Sequence, residues 1–207
     1  MSPGRLTVFI VDDDPSVRDS LALRLGIEGY RTETFADAES FLQSMDAGRA
    51  GCVVADLKLP GASGTELQAE LQRRGIRIPV IIITAHGDVA SARTAFQARA
   101  VDFLSKPFDT AQLLHALCAA FEREERRLKG DEARRLDSTK LARLTTRERE
   151  VLERVAQGLH AKEIAEEMGI SPRTVEVHRA RIMEKLDARN VAELVRLVVR
   201  GEGQPPE

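Results

Sequence analysis

Short apolar runs, each stopped by a residue able to do chemistry, constrain the first half of the chain more than any other feature. Val8-Phe9-Ile10-Val11 runs into Asp12-Asp13-Asp14, and Gly51-Cys52-Val53-Val54-Ala55 into Asp56. Val80-Ile81-Ile82-Ile83 runs into Thr84, and Val101-Asp102-Phe103-Leu104 into Ser105-Lys106-Pro107. Such runs are too short and too β-branched for helices and read as buried strands. Strands apolar on both faces belong to parallel sheets covered by helices. In those sheets the chemistry gathers at the carboxyl ends of the strands. Three or four carboxylates, one hydroxyl and one ammonium are therefore expected around a single pocket.

The stretches between the runs agree. Leu6 to Val11 is the first strand, and Asp14-Pro15 opens a helix that continues to about Glu28, where Gly29 ends it. Arg31 to Phe35 is a second strand, followed by a helix from Ala36 or Asp37 through about Ala47, with Phe41, Leu42 and Met45 turned inward. After Asp56 the Gly/Pro-punctuated loop 57–64 leads to a helix with Ser63 and Glu66 at capping-box spacing, ending near Arg74. Pro79 precedes the fourth strand, and His86-Gly87-Asp88 caps a helix to about Ala98. Asp109, with Gln112 three residues on, caps a helix expected to reach about Lys129. Strand and helix alternate five times, which predicts an α/β doubly wound five-stranded parallel sheet.

From Phe121 the composition shifts to Glu122, Arg123, Glu124, Glu125, Arg126 and Arg127. Charges that alternate in sign read as a solvated helix, followed by a polar linker to about Lys140. An all-α segment follows. Thr145 and Glu148 form a capping box for a helix to about Ala156, and Gly158 stops it. Ala161 to Met168 is a helix, Gly169-Ile170-Ser171 a turn, and Pro172 to Leu186 a second helix with Ser171 as N-cap. Asn190 and Glu193 cap a last helix to about Arg200. The expected domains are 1–121 for the α/β part, 122–140 for the charged linker and 141–207 for the helical part.

The 207 residues, 43% hydrophobic, suffice for two small domains. A formal net charge of −2, from 31 basic and 33 acidic residues, gives no global sign of nucleic-acid binding. The 2 cysteines, Cys52 and Cys118, lie far apart and read as reduced structural thiols. No apolar run approaches the ~20 residues of a membrane span, and Met1 to Arg5 lacks the apolar core of a signal peptide, so a cytoplasmic protein with no membrane partner is expected.

Asp12, Asp13 and Asp56 repel one another unless a cation joins them. Mg²⁺ takes one or two carboxylates and keeps waters, especially where a phosphate also coordinates. With charge balanced, Asp56 can attack a phosphoryl group as nucleophile. Lys106 would neutralise the phosphoryl charge and Thr84 would donate a hydrogen bond to it. Asp14 alone reads as a helix cap rather than a ligand. Lys58 and His86, two residues beyond Asp56 and Thr84, are expected to flank the path of water to an acyl phosphate, or else to be ordinary rim residues.

In the helical half, Lys162-Glu163-Ile164-Ala165, Gly169-Ile170-Ser171 and Pro172-Arg173-Thr174-Val175 have helix-turn-helix spacing. Ile164, Ala165, Val175 and Ile170 pack the two helices. Recognition helices read base edges near their N-terminus, while arginines hold phosphates. The residues expected to face DNA are Lys162, Ser171, Arg173, Thr174, Glu176, Val177, His178, Arg179, Arg181 and Lys185. Glu176 can accept from a cytosine amino group and Val177 can touch a thymine methyl. A plain helical bundle with a salt-bridged face is the competing reading, because the surface is only mildly basic.

The Val11-Asp12-Asp13-Asp14 run, Asp56 with Leu57-Lys58-Leu59-Pro60-Gly61, Ile83-Thr84-Ala85-His86 and Phe103-Leu104-Ser105-Lys106-Pro107-Phe108 together resemble the flavodoxin-like receiver domains of two-component systems, over about residues 5–125. Leu144-Thr145-Thr146-Arg147-Glu148-Arg149-Glu150-Val151-Leu152, with Lys162 to Ala165 and Ser171 to Arg179, resembles the LuxR-type DNA-binding domain over about 140–200. Joined, they resemble the NarL/FixJ response regulators, nearest the FixJ branch with the styrene and toluene regulators (StyR, TodT) as neighbours. The resemblance implies phosphorylation of Asp56 by a sensor histidine kinase. It implies Mg²⁺ held by Asp13 and Asp56, with Asp12 nearby and the Lys58 carbonyl contributing. It also implies a switch in which Thr84 moves toward the phosphoryl group and Phe103 turns inward, and a cis Lys106-Pro107 bond aiming the ammonium into the pocket. Homodimerisation on phosphorylation is implied as well, through about 88–104 in the receiver and, in the reader, through the apolar stripe Val191, Leu194, Val195 and Val198, some of which must serve the small domain's own core. So are promoter DNA and RNA polymerase as partners, with transcription activated.

The chain departs from the family at two places. Arg99 stands where a turn glycine is usual, and His160-Ala161 where a capping Ser, Thr or Asn is usual, at a cost of ~1 kcal/mol each. A phosphatase using Asp56 is the rival enzyme reading. It lacks the second acid two residues on, where Lys58 stands. A protein-interaction switch with a vestigial reader is the third.

Overall fold

The computed structural model describes residues 6–46, 48–85 and 102–201. The expected helix 88–98, the Arg99 turn, the His86 rim position and most of the expected dimer face at 88–104 lie outside them. The chain divides into two compact units, Met1–Arg127 and Leu128–Glu207. Among the described residues, no helix is long and apolar enough to cross a membrane.

In the first unit the strands are β1 (Thr7–Val11), β2 (Arg31–Phe35), β3 (Gly51–Asp56), β4 (Val80–Ala85) and β5 (Asp102–Lys106). They form one parallel sheet in the order β2-β1-β3-β4-β5, the doubly wound arrangement expected. Register puts Val11 beside Ala55, Asp56 beside Ile83, and Thr84 beside Ser105, so the polar ends of β1, β3, β4 and β5 share one edge. The two-residue period of a strand sends alternate side chains to opposite faces. Phe9, Val11, Val53, Ala55 and Ile82 pack with Phe41, Leu67 and Leu71 on one side. Val8, Ile10, Val54, Ile81 and Ile83 pack with Leu21, Leu25, Leu113 and Leu117 on the other. The side chains of the first group come from α2 (Ala38–Ser44) and α3 (Gly64–Arg73), those of the second from α1 (Pro15–Ile27) and α4 (Thr110–Leu141).

Gly51 is required by close approach, since a Cβ there would lie 1.8 Å from the Thr7 carbonyl oxygen. Cys52 is buried in β3, and burial, with the nearby Glu124 charge, pushes its thiol pKa up, so it is an inert packing residue. Cys118 is exposed, and both thiols are free.

Helix α4 corrects two expectations. It does not stop near Lys129 but continues to Leu141, so the stretch expected as a polar linker is helical. Pairs three and four residues apart support it, among them Glu122–Arg126 and Asp131–Arg134. Glu124, expected on a solvated face, is fully buried, and Arg127 grips both its oxygens at 2.7 Å. Helix α2 ends at Ser44, three residues before the expected Ala47, and Met45 is already extended.

The second unit contains α5 (Thr146–Ala156), α6 (Ala161–Met168), α7 (Pro172–Leu186) and α8 (Val191–Gly201). Val151, Leu152, Ile164, Ala165, Val175, Ile182 and Leu186 form its core. Leu194 and Val198 belong to that core too and Val191 packs against it, so part of the apolar stripe serves the domain's own core, as expected.

Candidate functional site

The acidic turn after β1 is built by local hydrogen bonds. Asp14 caps α1 by accepting from the Ser16 N–H at 2.8 Å, and its own N–H donates to Asp12 Oδ1 at 2.9 Å. Asp12 is 2% exposed, whereas Asp13 is exposed. The Lys58 N–H donates to Asp56 Oδ1 at 3.1 Å, closing the turn after β3. Gly64 lets α3 start directly under that turn. Its N–H donates to the Leu57 carbonyl at 2.9 Å, and a Cβ on it would sit 2.6 Å from the Asp56 carbonyl oxygen.

Lys106 closes the pocket from β5. Its Nζ donates to Asp56 Oδ2 at 2.8 Å and to Asp12 Oδ2 at 3.1 Å. Burial works against this ammonium. The hydrogen bonds and charges of Asp56 and Asp12 outweigh it, and the pKa stands above the ordinary lysine value. The Lys106-Pro107 bond is cis. Thr84 is buried at the end of β4, and Phe103 is half-buried against the cluster on the α2–α3 side.

Oxygens of Asp12, Asp13 and Asp56 lie within 4.8 Å of one another. Three hard oxygen donors, graded from buried to exposed, suit a Mg²⁺ that keeps part of its water shell. Asp12, Asp13, Asp56, Thr84 and Lys106 thus gather at one edge, as their strand-end positions implied. Arg18 was missed by the sequence reading. Its Nη1 donates to the Asp12 carbonyl oxygen at 2.6 Å. One signal was available, since Arg18 lies one helical turn after the cap Asp14.

In the second unit, Gly169 in the left-handed conformation (φ 64°) turns α6 into α7. Ser171 caps α7 by accepting from the Thr174 N–H at 3.1 Å, and the two hydroxyls meet at 2.8 Å. Lys162, Arg173, Thr174, Glu176, Val177 and Arg181 are exposed, and His178 and Arg179 half-buried. Arg179 Nη1 donates to Glu176 Oε1 at 2.7 Å, which ties up the expected cytosine acceptor. Lys185 donates to Glu148 Oε2 at 2.6 Å, so a residue expected to face DNA serves the domain's own scaffold. Glu148 is 3% exposed. Its carboxylate suffers from burial, but Lys185 and the Thr145 cap more than compensate and hold its pKa below the usual glutamate value. At α6 the Glu163 carboxylate accepts from the His160 N–H at 2.6 Å, which satisfies one donor where a capping side chain was expected to be missing.

Comparison with known proteins agrees with this division. Residues 8–118 match the family model for the response regulator receiver domain, and residues 142–198 that for bacterial regulatory proteins of the luxR family. Transcriptional regulatory protein FixJ of Azorhizobium caulinodans is 43% identical over 95% of this chain and 93% of its own length. Transcriptional regulatory protein TdiR of Thauera aromatica is 41% identical over 94% of this chain and 86% of its own. The solved structure of response regulator StyR, 42% identical, superposes with a TM-score of 0.80 and covers 94% of this chain and 98% of that one.

Proposed function

The chain belongs to the two-component response regulators that join a receiver domain to a LuxR-type DNA-binding domain and control transcription, and from that premise we propose that Asp56 is the phosphoacceptor through which a sensor histidine kinase controls promoter binding. The relatives are regulators rather than enzymes. The observation that carries the proposal is Lys106 Nζ held between Asp12 and Asp56 at the carboxyl edge of the sheet.

The reaction is an in-line transfer. An oxygen of Asp56 forms the new O–P bond as the N–P bond of the kinase phosphohistidine breaks, and the imidazole leaves with that electron pair. Asp56 stands at the end of a central strand, where little has to move. Lys106 stays protonated, because its raised pKa keeps the ammonium charged at neutral pH. It can exchange an Asp56 oxygen for a phosphoryl oxygen without leaving the pocket. Thr84, one residue beyond the Asp56 partner Ile83, would donate its hydroxyl to the phosphoryl group, with Phe103 following as the switch. Asp12, Asp13 and Asp56, with the Lys58 carbonyl, would hold Mg²⁺, which neutralises phosphoryl charge when bound.

Phosphorylation then favours a homodimer. In the reader, what the core leaves of the expected stripe is Val195, half-buried, and the exposed Val199 lies one turn further along α8. Two readers linked in this way hold two half-sites about one helical turn apart, and affinity rises without new contacts. Arg173 and Arg181 would hold phosphates, with Lys162 on α6, while Thr174, Val177 and His178 approach bases and Ser171 presents the helix N-terminus. Promoter occupancy recruits RNA polymerase and activates transcription in the cytoplasm.

The test is a small phosphodonor with Mg²⁺, added to wild type and to Asp56→Asn, followed by mass in solution and by binding to genomic DNA fragments. Wild type is expected to dimerise and gain DNA affinity while Asp56→Asn does neither. Equal binding by both, with or without donor, overturns the proposal.

A further inference from the structure

We infer that Arg18 is a positioning residue that sets the affinity of the acidic pocket for its divalent cation, although it offers the cation no ligand atom. The inference rests on the reading of Asp12, Asp13 and Asp56 as a cation site. The turn 12–14 is held at three points. Asp12 Oδ1 accepts from the Asp14 N–H at 2.9 Å, and Asp12 Oδ2 from Lys106 Nζ at 3.1 Å. The third point is the Asp12 carbonyl, which accepts from Arg18 Nη1 at 2.6 Å. That carbonyl belongs to the peptide joining Asp12 to Asp13. Its plane fixes the N and Cα of Asp13, from which the exposed side chain departs. Arg18 is itself anchored at both ends, since its N–H donates to the Asp14 carbonyl at 3.1 Å in the first turn of α1.

The need for such a clamp follows from electrostatics. Three carboxylates with oxygens within 4.8 Å repel one another. Asp12 is buried and Asp56 stands on a central strand, so Asp13 is the member free to swing away. Holding its peptide keeps the third carboxylate in the set.

Two effects of Arg18 on a cation have opposite sign, which makes the inference testable. As a positive charge near the pocket, Arg18 repels the cation, and its removal would tighten binding. As a clamp, it preorganises the ligands, and its removal would weaken binding by about tenfold, the range seen when groups supporting metal ligands are lost.

Mg²⁺ affinity is measured by titration calorimetry on the full chain for wild type, Arg18→Ala, Arg18→Lys and Asp13→Asn, with Arg24→Ala as a control on the same helix. The Mg²⁺ dependence of phosphorylation by a small phosphodonor is measured alongside. Arg18→Ala is expected to bind Mg²⁺ about tenfold more weakly, with Arg18→Lys between it and wild type and Arg24→Ala unchanged. Saturating Mg²⁺ should restore most of the phosphorylation rate. If Arg18→Ala does not fold, Arg18→Lys decides, because it keeps the charge while shortening the donor. Unchanged or tighter Mg²⁺ binding by the Arg18 variants, with Asp13→Asn weakened, overturns the clamp and leaves the pocket standing. A wild type that binds no Mg²⁺, or an Asp13→Asn that binds as wild type does, overturns the pocket reading and the inference with it.

Discussion

Replacing Lys185 by methionine separates two roles for one ammonium. In the structure, Lys185 Nζ lies 2.6 Å from Glu148 Oε2, joining the end of α7 to the start of α5. The Glu148 side chain is 4% exposed and that of Lys185 36%. Removing one partner of a fully buried pair costs about 3–5 kcal/mol, and an exposed pair is worth less than about 1 kcal/mol. With one partner buried and the other at the surface, and with the Thr145 N–H still donating to Glu148 at 2.8 Å, the cost should be about 2 kcal/mol. Methionine keeps the stem packing, so the loss is that of the charge. The assay is amide hydrogen exchange on the full chain, read at α5 and α7, where ~2 kcal/mol corresponds to roughly thirtyfold faster opening. The pH dependence has a definite sign. Glu148 has a folded pKa below its ordinary 4.5. Its contribution is therefore present above about 4.5 and is lost as pH falls through the depressed value. Lys185→Met should flatten that acid limb. In parallel, the slope of log K against log salt for DNA binding should stay as in wild type, whereas a phosphate-binding lysine would remove about 0.9 from it per reader. Unchanged exchange protection with a shallower salt slope would refute the scaffold role and return Lys185 to the DNA surface.

Substitutions at three positions test backbone geometry. Gly64→Ala places a Cβ 2.6 Å from the Asp56 carbonyl oxygen and 3.1 Å from Ile82 Cδ1. It should cost about 1–3 kcal/mol and slow phosphorylation of Asp56. Gly26→Ala, with nothing within 4 Å of its Cβ, should be neutral or stabilise α1, and both are read from urea midpoints and phosphodonor kinetics. Asp187 caps α7 with a φ of 53°, the sole positive φ among described non-glycine residues. Asp187→Gly should raise stability by about 0.5 kcal/mol and Asp187→Val lower it by about 1 kcal/mol or more, measured in the same way.

Whatever depends on neighbours in sequence was legible before the structure. Apolar runs ending in Asp12, Asp56 and Thr84 gave the sheet edge because strand ends in a parallel sheet coincide. Caps were legible because their hydrogen bonds span three residues or fewer: Asp14 to Ser16, Asp37 to Ser40, Asp109 to Gln112 and Asn190 to Glu193 all form. Pairings between distant residues were not legible. Glu148 and Lys185 are 37 positions apart, and nothing local marks either as a partner. Glu124 sits in a run of alternating charges, and only the packing of α4 against the sheet distinguishes its buried face from the wet one. The α8 stripe shows the same limit. Periodicity shows that Leu194 and Val198 share a face, but not whether that face meets this domain's core or a second copy.

These internal pairings bear on why the reader needs a switch at all. Of the basic residues on α7, Arg179 is held by Glu176 and Lys185 by Glu148. Arg173 and Arg181 remain, with Lys162 on α6, and no ion pair joins them to other described residues. A chain with a net charge of −2 has no long-range attraction for DNA to add. If these three hold phosphates, the salt slope for one reader would be only about −3, which is weak at cellular ionic strength. Doubling the contacts by linking two readers multiplies affinity instead of adding to it, because the second binding step becomes intramolecular. Under the proposed function, a lightly charged reader would make DNA occupancy depend on dimer formation, and so on phosphorylation of Asp56.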